Sequence, residues 1–268
     1  MFLGKIQQIK EALASKRRVL VAFSGGVDSS VLAALALEAL GDNALAVTIN
    51  MHSLPAGELQ RAKDVAREIG IKHKVVDFDE FNVPGFVENS PDRCYHCKQS
   101  VLETLFRVAD EGGYEVVIEG TNITETRGHR PGMQAVEEMA DRIMSPFLQF
   151  AVTKDEIRQM AEYRGMSIAF KPSSPCLASR IPYGKKITVE IIARVRSAEE
   201  YLSSMGFTQF RVRYHGDVAR IEVKPSDLPA VLQRKDDIVN ELKRLGFHYV
   251  ALDLEGFRSG SLDEVISR

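Results

Sequence analysis

The chain has almost no net charge: 35 Lys and Arg against 37 Asp and Glu leave −2 over 268 residues. No global basic field draws in a polyanion, so nucleic acid is not an expected partner and would need a local patch. Long apolar runs are also missing. The most apolar segment, "VLAALALEAL" at 31–40, is about half the ~20 residues a membrane span requires. The opening "MFLGKIQQIKEALASKRR" is polar throughout and contains no apolar signal core. The expectation is a soluble cytoplasmic protein with no membrane partner. Cysteine is scarce, and the three present are an odd number. That argues against a disulfide framework and turns attention to metal or thiol chemistry. Internal repeats and low-complexity tracts are absent, which excludes solenoid and linker-like architectures.

What is present is a core-forming composition, 44% hydrophobic and 27% charged, enough for one large or two modest domains. "RVLVAF" (18–23), "NALAVTI" (43–49), "KHKVVDF" (72–78) and "YEVVIEG" (114–120) are short β-branched runs, each followed by a helical stretch. One such stretch, "PAGELQRAKDVAREIG", places Leu59, Ala62, Val65, Ala66 and Ile69 at three-to-four spacing and ends on Gly70. The alternation predicts an α/β fold with a parallel sheet covered on both faces, which binds ligands at the carboxyl ends of its strands. "KPSSPCLASRIPYG" (171–184) concentrates Pro, Ser and Gly and marks a boundary. Domains are expected at 1–170 and 175–268. The second reads helix (188–204), hairpin around His215, Gly216 and Asp217, helix, and final strand "HYVALDL", a small α+β unit.

"SGGVDSS" (24–30) stands where the first strand ends and the apolar helix "DSSVLAALALEAL" begins. Gly25 and Gly26 let backbone approach a ligand closely, and the helix start offers free N–H groups and a positive dipole end. This arrangement suits a phosphate. A plain glycine turn capped by Asp28 or Ser29 is the simpler alternative. The stretch lacks the lysine of the Walker-type P-loop and the spacing of the dinucleotide fingerprint. It resembles the pyrophosphate loop, SGGxDS, of the ATP pyrophosphatase (PP-loop) superfamily, which cleaves ATP between its α and β phosphates. That resemblance implies a Rossmann-like PP-loop domain followed by the smaller α+β domain. It also implies ATP contacts from Ser24, Gly25, Gly26, Val27, Asp28, Ser29 and Ser30, with Asp28 holding Mg²⁺ or positioning Ser29 and Ser30.

Further motifs follow in order: "RPG" (130–132), "PCLASRIPYG" (175–184), "AEEYL" (198–202), "RVRYHGDVARIE" (211–222) and "LDLEGFRSG" (252–260). Together they resemble the LarE-type sulfur transferases, which build the nickel-pincer nucleotide of lactate racemase, and the likeness spans nearly the whole chain. It implies adenylation of a carboxylate of pyridinium-3,5-biscarboxylic acid mononucleotide, pyrophosphate release, and replacement of AMP by sulfur. Arg211 and Arg213, two apart on a strand, share a face, and Arg258 follows a neighbouring strand. Guanidinium groups suit a ligand bearing phosphate and carboxylates; a solvated strand face paired with Glu222 is the alternative. Through the resemblance Ser179 and Arg180 join this anion site, and Glu199 aligns with a functional acid, although on a charged helix it also reads as a solvent-facing carboxylate.

In "NSPDRCYHCK", Ser90 and Pro91 signal a helix start that puts Cys94 and Cys97 on one face of its first turns, where thiolates are favoured. Cys176 lies in the boundary loop. From spacing alone the three remain open to several uses: a Cys94–Cys97 redox pair, a zinc site completed by His96 or His52, or three unrelated thiols. Well-known family members keep only the loop cysteine and sacrifice its sulfur. Members with three cysteines are similar to cluster-dependent enzymes in which three thiolates hold a [4Fe-4S] cluster whose fourth iron carries a transferable sulfide. The resemblance thus implies that Cys94, Cys97 and Cys176 are cluster ligands, with Cys176 as sacrificial donor the alternative. Other readings are a tRNA thiolase of the same superfamily and a non-catalytic iron–sulfur or nucleotide-binding partner. A homo-oligomer is expected, and no residue names the sulfide source.

Overall fold

The computed structural model describes residues 2–126 and 131–258. In chain order the elements are α1 (Phe2–Ala14), β1 (Val19–Ala22), α2 (Val27–Leu40), β2 (Ala44–Asn50), α3 (Glu58–Ile69), β3 (Lys72–Asp77), α4 (Pro84–Val87), α5 (Arg93–Gly112), β4 (Val116–Ile118) and α6 (Pro131–Glu138). There follow β5 (Ile143–Met144), α7 (Pro146–Gln149), α8 (Lys154–Tyr163), α9 (Val189–Ser204), β6 (Phe210–His215), β7 (Val218–Val223), α10 (Leu228–Gln233), α11 (Lys235–Arg244) and β8 (Tyr249–Leu252). No described helix is long and apolar enough to cross a membrane.

Two compact units divide the chain. The first comprises residues 1–51, 57–79 and 94–174, and the second 52–56, 80–93 and 175–268. In the first unit five strands run parallel in the order β3-β2-β1-β4-β5. β1 is buried on both faces because successive residues feed different layers. Val19 and Val21 join a cluster with Ile9, Leu13, Val31, Leu35, Val65 and Ile157 from α1, α2, α3 and α8. Leu20 joins Leu102, Leu105 and Phe106 of α5 on the opposite face. Continuous apolar strands between two helical layers are what a parallel sheet requires. The chain moves outward from β1 to β2 and β3, then returns to the other side of β1 with β4. The β1 and β4 carboxyl ends therefore border a topological switch point, where such sheets bind ligands.

The second unit carries the sheet β6-β7-β8. β6 and β7 form the expected hairpin, with Phe210 opposite Val223 and His215 opposite Val218, turning at Gly216. β8 joins parallel to β7. α9 lies against β6 and α11 against β8, burying Val195, Leu202, Val212, Ile221, Leu242 and Phe247. The two short segments borrowed from earlier in the sequence are bonded in place. The buried Glu80 carboxylate accepts the Ser53 and His52 N–H groups at 2.6 and 3.1 Å. The Ser53 carbonyl accepts the Leu177 N–H at 2.8 Å. Asn89 donates to the carbonyls of Pro182 and Lys185, and its own carbonyl accepts from Gly184.

Candidate active site

The loop after β1 carries the residues expected to receive phosphate. Gly25 has φ +70°, and a Cβ there would stand 2.7 Å from the Ala62 Cα of α3, so both conformation and space demand glycine. Gly26 is less constrained, since its Cβ would meet only the Ser24 hydroxyl at 3.3 Å. Gly26 caps α2 without any side-chain hydrogen bond. By contrast α8 and α9 are capped by Thr153 and Thr188 hydroxyls. The helix start is thus not capped by Asp28 or Ser29, which is the condition an anion site there requires. Ser29 donates to the Gly26 carbonyl and lies 3.1 Å from the Ser24 hydroxyl, which tightens the loop. Ser30 is buried, and its hydroxyl has no partner among the described residues.

Asp28 does not reach Ser29 or Ser30 in any described hydrogen bond; its carboxylate accepts from Asn122 Nδ2 at 3.2 Å and pairs with the Lys154 ammonium. Neither partner was visible in the sequence reading, being 94 and 126 residues away. "EGTN" after β4 brings Asn122 in, and Gly120 packs so closely that a Cβ would lie 3.1 Å from the Asp28 Cβ. Behind it, buried Glu119 accepts from the Thr121 amide and hydroxyl and from Ser145.

In the second unit the arginines sort into paired and unpaired members. Arg180, 1% exposed, forms two parallel bonds to Glu199 at 2.9 and 3.0 Å and also donates to the carbonyls of Pro175 and Cys176. Glu199 is therefore no solvent-facing carboxylate. It is 9% exposed, and it also accepts the Val212 N–H at 3.0 Å. Arg213 makes the same fork to Glu222, which is fully buried and also accepts from Arg220 at 3.0 Å. The Arg213–Glu222 pairing anticipated as a solvated face exists, but inside the unit. Arg213 further donates to the Ser179 carbonyl, while the Ser179 hydroxyl donates to the Cys176 carbonyl at 2.7 Å.

Arg211 differs. It lies over the Phe257 ring at 4.8 Å and donates to the Phe210 carbonyl, and among the described residues no carboxylate forms an ion pair with it. Burial first, then repulsion from Arg180 and Arg213, pushes its pKa down to about 10. A strained, half-desolvated cation is the member of the set with most to gain from an anionic ligand. Arg258 follows Phe257, partly buried and paired with Glu255. Arg130 of "RPG" and Ser259 and Gly260 of the last motif lie outside the described residues.

None of the three cysteines forms a disulfide among the described residues. α5 begins at Arg93, two residues after the Pro91 signal, because residues 90–93 first form a turn closed by the Arg93 N–H on the Ser90 carbonyl. Cys94, exposed, and Cys97, partly buried, still occupy its first turns, in the first unit. Cys176 belongs to the second unit, where its carbonyl is held by Ser179 and Arg180. In number and kind the thiols suit a [4Fe-4S] cluster with one open iron. Among the described residues, however, no three His, Cys, Asp or Glu side chains gather as a metal-binding group, so neither the cluster nor a zinc site with His52 or His96 has support in the structure.

Comparison with known proteins decides the family. The asparagine synthase family model matches residues 6–105, the β1 loop included. A protein of Synechocystis is 40% identical over the whole of both chains. The pyridinium-3,5-bisthiocarboxylic acid mononucleotide synthase of Lactiplantibacillus plantarum is 35% identical over 96% of this chain and 93% of its own. The chain belongs to the LarE family. This LarE-family member is an ATP-dependent sulfurtransferase with a PP-loop nucleotide domain. A more distant relative, the tRNA-specific 2-thiouridylase of Afipia carboxidovorans, is 34% identical over 56% of this chain and 43% of its own. The likeness to the LarE synthase extends across the arginine-bearing second unit as well, which favours the small-molecule branch.

Proposed function

We propose that the protein converts a carboxylate of pyridinium-3,5-biscarboxylic acid mononucleotide to a thiocarboxylate, on the route to a nickel-pincer nucleotide. ATP, arriving with Mg²⁺ on its phosphates, lies with its polyphosphate on the N–H groups of residues 25–29, and Ser24 adds its hydroxyl. Asp28 adds a single carboxylate beside the phosphates, an environment in which Mg²⁺ is commonly held. The acceptor's carboxylate attacks the α-phosphorus, pyrophosphate leaves, and sulfur then displaces AMP from the acyl carbon. Arg211 grips the acceptor's phosphate or free carboxylate, Arg180 and Arg213 hold the surrounding loop, and Arg258 completes the cationic wall. Glu199 acts by fixing Arg180.

The observation that carries this reading is the pairing, within one unit, of a half-buried thiol loop with a charge-strained arginine: Cys176 is tied to Arg180 and Ser179, and Arg180 in turn raises the cost of the Arg211 charge. For sulfur delivery the proposal is that Cys94, Cys97 and Cys176 ligate a [4Fe-4S] cluster, whose chemistry would supply the transferable sulfide. Three cysteines in one chain match the ligand number such a cluster with one open iron requires. One observation favours the second reading, a sacrificial Cys176: its backbone carbonyl accepts from Ser179 and Arg180 and so ties the thiol's residue into the arginine network. Anaerobic purification with iron analysis, followed by intact mass before and after turnover, separates them. Cluster delivery is expected to give about four irons per chain and activity lost in Cys94→Ala, Cys97→Ala and Cys176→Ala alike. Mass loss equal to H₂S in wild type, with Cys94→Ala and Cys97→Ala fully active, would sink it. No pyrophosphate from ATP plus the pyridinium dicarboxylate nucleotide would refute the substrate assignment.

A further inference from the structure

The loop 24–30 contains no basic residue; its one charged side chain is Asp28, an acid facing the place where the reading above puts a polyanion. Two like charges at such a site would repel, and the repulsion is strongest where water is partly excluded. The structure answers this with a ring of four residues drawn from three parts of the first unit. Asn122, fully buried, donates to Asp28 Oδ1 at 3.2 Å. The Thr124 N–H donates to Asn122 Oδ1 at 3.0 Å, and the Lys154 N–H donates to the Thr124 hydroxyl at 3.1 Å. The Lys154 ammonium then closes the ring on Asp28 Oδ2. Lys154 is itself fixed, as the first residue of α8 behind a full capping box of Thr153 and Glu156. Both charged side chains are mostly covered, 28% and 21% exposed, so solvent screens the pair only in part.

We propose that Lys154 is a positioning residue for ATP that works through Asp28: it neutralises and orients the loop carboxylate, and so lets a polyphosphate occupy the N–H groups of α2. Asn122 and Thr124 hold the pair in register. The inference rests on the ATP site assigned above and adds to it a residue from outside the loop. Its signature is charge grading. A ligand with three phosphates should depend on Lys154, whereas AMP, which places little charge at the loop, should not.

Calorimetric titration with AMP and with an ATP analogue bridged by methylene between α and β phosphates tests this, with far-UV circular dichroism and melting as fold controls. Lys154→Met is expected to weaken the analogue by about tenfold or more, the scale of one charge-assisted contact, and to leave AMP within about twofold. Lys154→Arg, which keeps the charge, should bind the analogue nearly as wild type does. In titrations run without Mg²⁺, where Asp28 has no cation to hold, Asp28→Asn added to Lys154→Met should recover most of the loss, because the charge Lys154 masks is then gone. Wild-type affinity in Lys154→Met, parallel loss of AMP and analogue, or no recovery in the double variant would each overturn the assignment. A wild-type protein that binds neither nucleotide would instead overturn the ATP site on which it rests.

Discussion

Removing the carboxylate of Glu199 tests whether the second unit is organised around buried charge. In Glu199→Ala, Arg180 keeps only carbonyl and hydroxyl partners while remaining 1% exposed, and the Val212 N–H loses its acceptor. An uncompensated buried charge of this kind costs about 3–5 kcal/mol, against at most about 1 kcal/mol for an exposed ion pair. Glu199→Gln keeps the shape and one acceptor oxygen, so its cost should be nearer the 1.5–3 kcal/mol, roughly, of a lost charge-assisted bond. Arg180→Met combined with Glu199→Leu removes both charges and should recover most of the loss, since well-packed apolar replacements of buried pairs are often about neutral. The chain has no tryptophan, so urea unfolding is best followed by far-UV circular dichroism, with the midpoint read at constant slope. A cost below about 1 kcal/mol for Glu199→Ala, or no recovery in the double variant, would refute the reasoning and return Glu199 to the surface role its charged helix suggests.

Arg211→Ala should weaken binding of the pyridinium mononucleotide by about tenfold or more with little change in melting temperature, whereas Arg213→Ala should also destabilise the fold, because fully buried Glu222 would lose the two-bond fork that Arg213 supplies; equal melting losses for both would contradict the division into paired and unpaired arginines. With the free Arg211 titrating at about 10 and a bound anion holding it charged to higher pH, mononucleotide affinity should fall as pH rises past about 10, a step calorimetry should not find in Arg211→Met. Gly25→Ala should lose nucleotide binding and melt earlier, as its methyl would enter α3 at positive φ, while Gly26→Ala should be milder; the reverse order by thermal melt would sink the cradle geometry. His73, its pKa lowered from the usual 6.5 by burial and then by Lys63, bonds Thr48 at 2.8 Å. A base with a depressed folded pKa contributes fully above 6.5 and less as pH falls below it, so His73→Gln should flatten the acid limb of a stability–pH curve.

What could be read from the sequence was local. β1 to β4 announced themselves as apolar β-branched runs, and the glycine loop followed by an apolar helix carried its own physical reason. β5 escaped because two residues, Ile143 and Met144, have no periodicity to show. The Cys94 helix began late because the Ser90–Pro91 signal was spent on a turn. Glu199 could not be told from its charged neighbours on α9, since burial depends on Arg180, 19 residues earlier in a loop. Lys154 stood in a recognisable capping box, yet nothing local pointed its ammonium at Asp28. Long-range partners of this sort are set by topology, which brings the ends of β1 and β4 together, and no window of sequence contains both.

The same topology bears on how the protein comes into being. The chain leaves the first unit for 52–56 and again for 80–93 before it commits to the second at 175. Synthesis proceeds from the N-terminus, so buried Asn89 and the Val87 and Ser53 carbonyls are made long before Pro182, Ile187 and Leu177, the residues they join, exist. A fragment cut at 174 would keep both stretches without their hydrogen-bond partners and would expose apolar surface that the full chain covers. The second unit therefore is not a module that could be shed, swapped or expressed from residue 175 onward; its earliest pieces are laid down inside the first, and the two are inherited together.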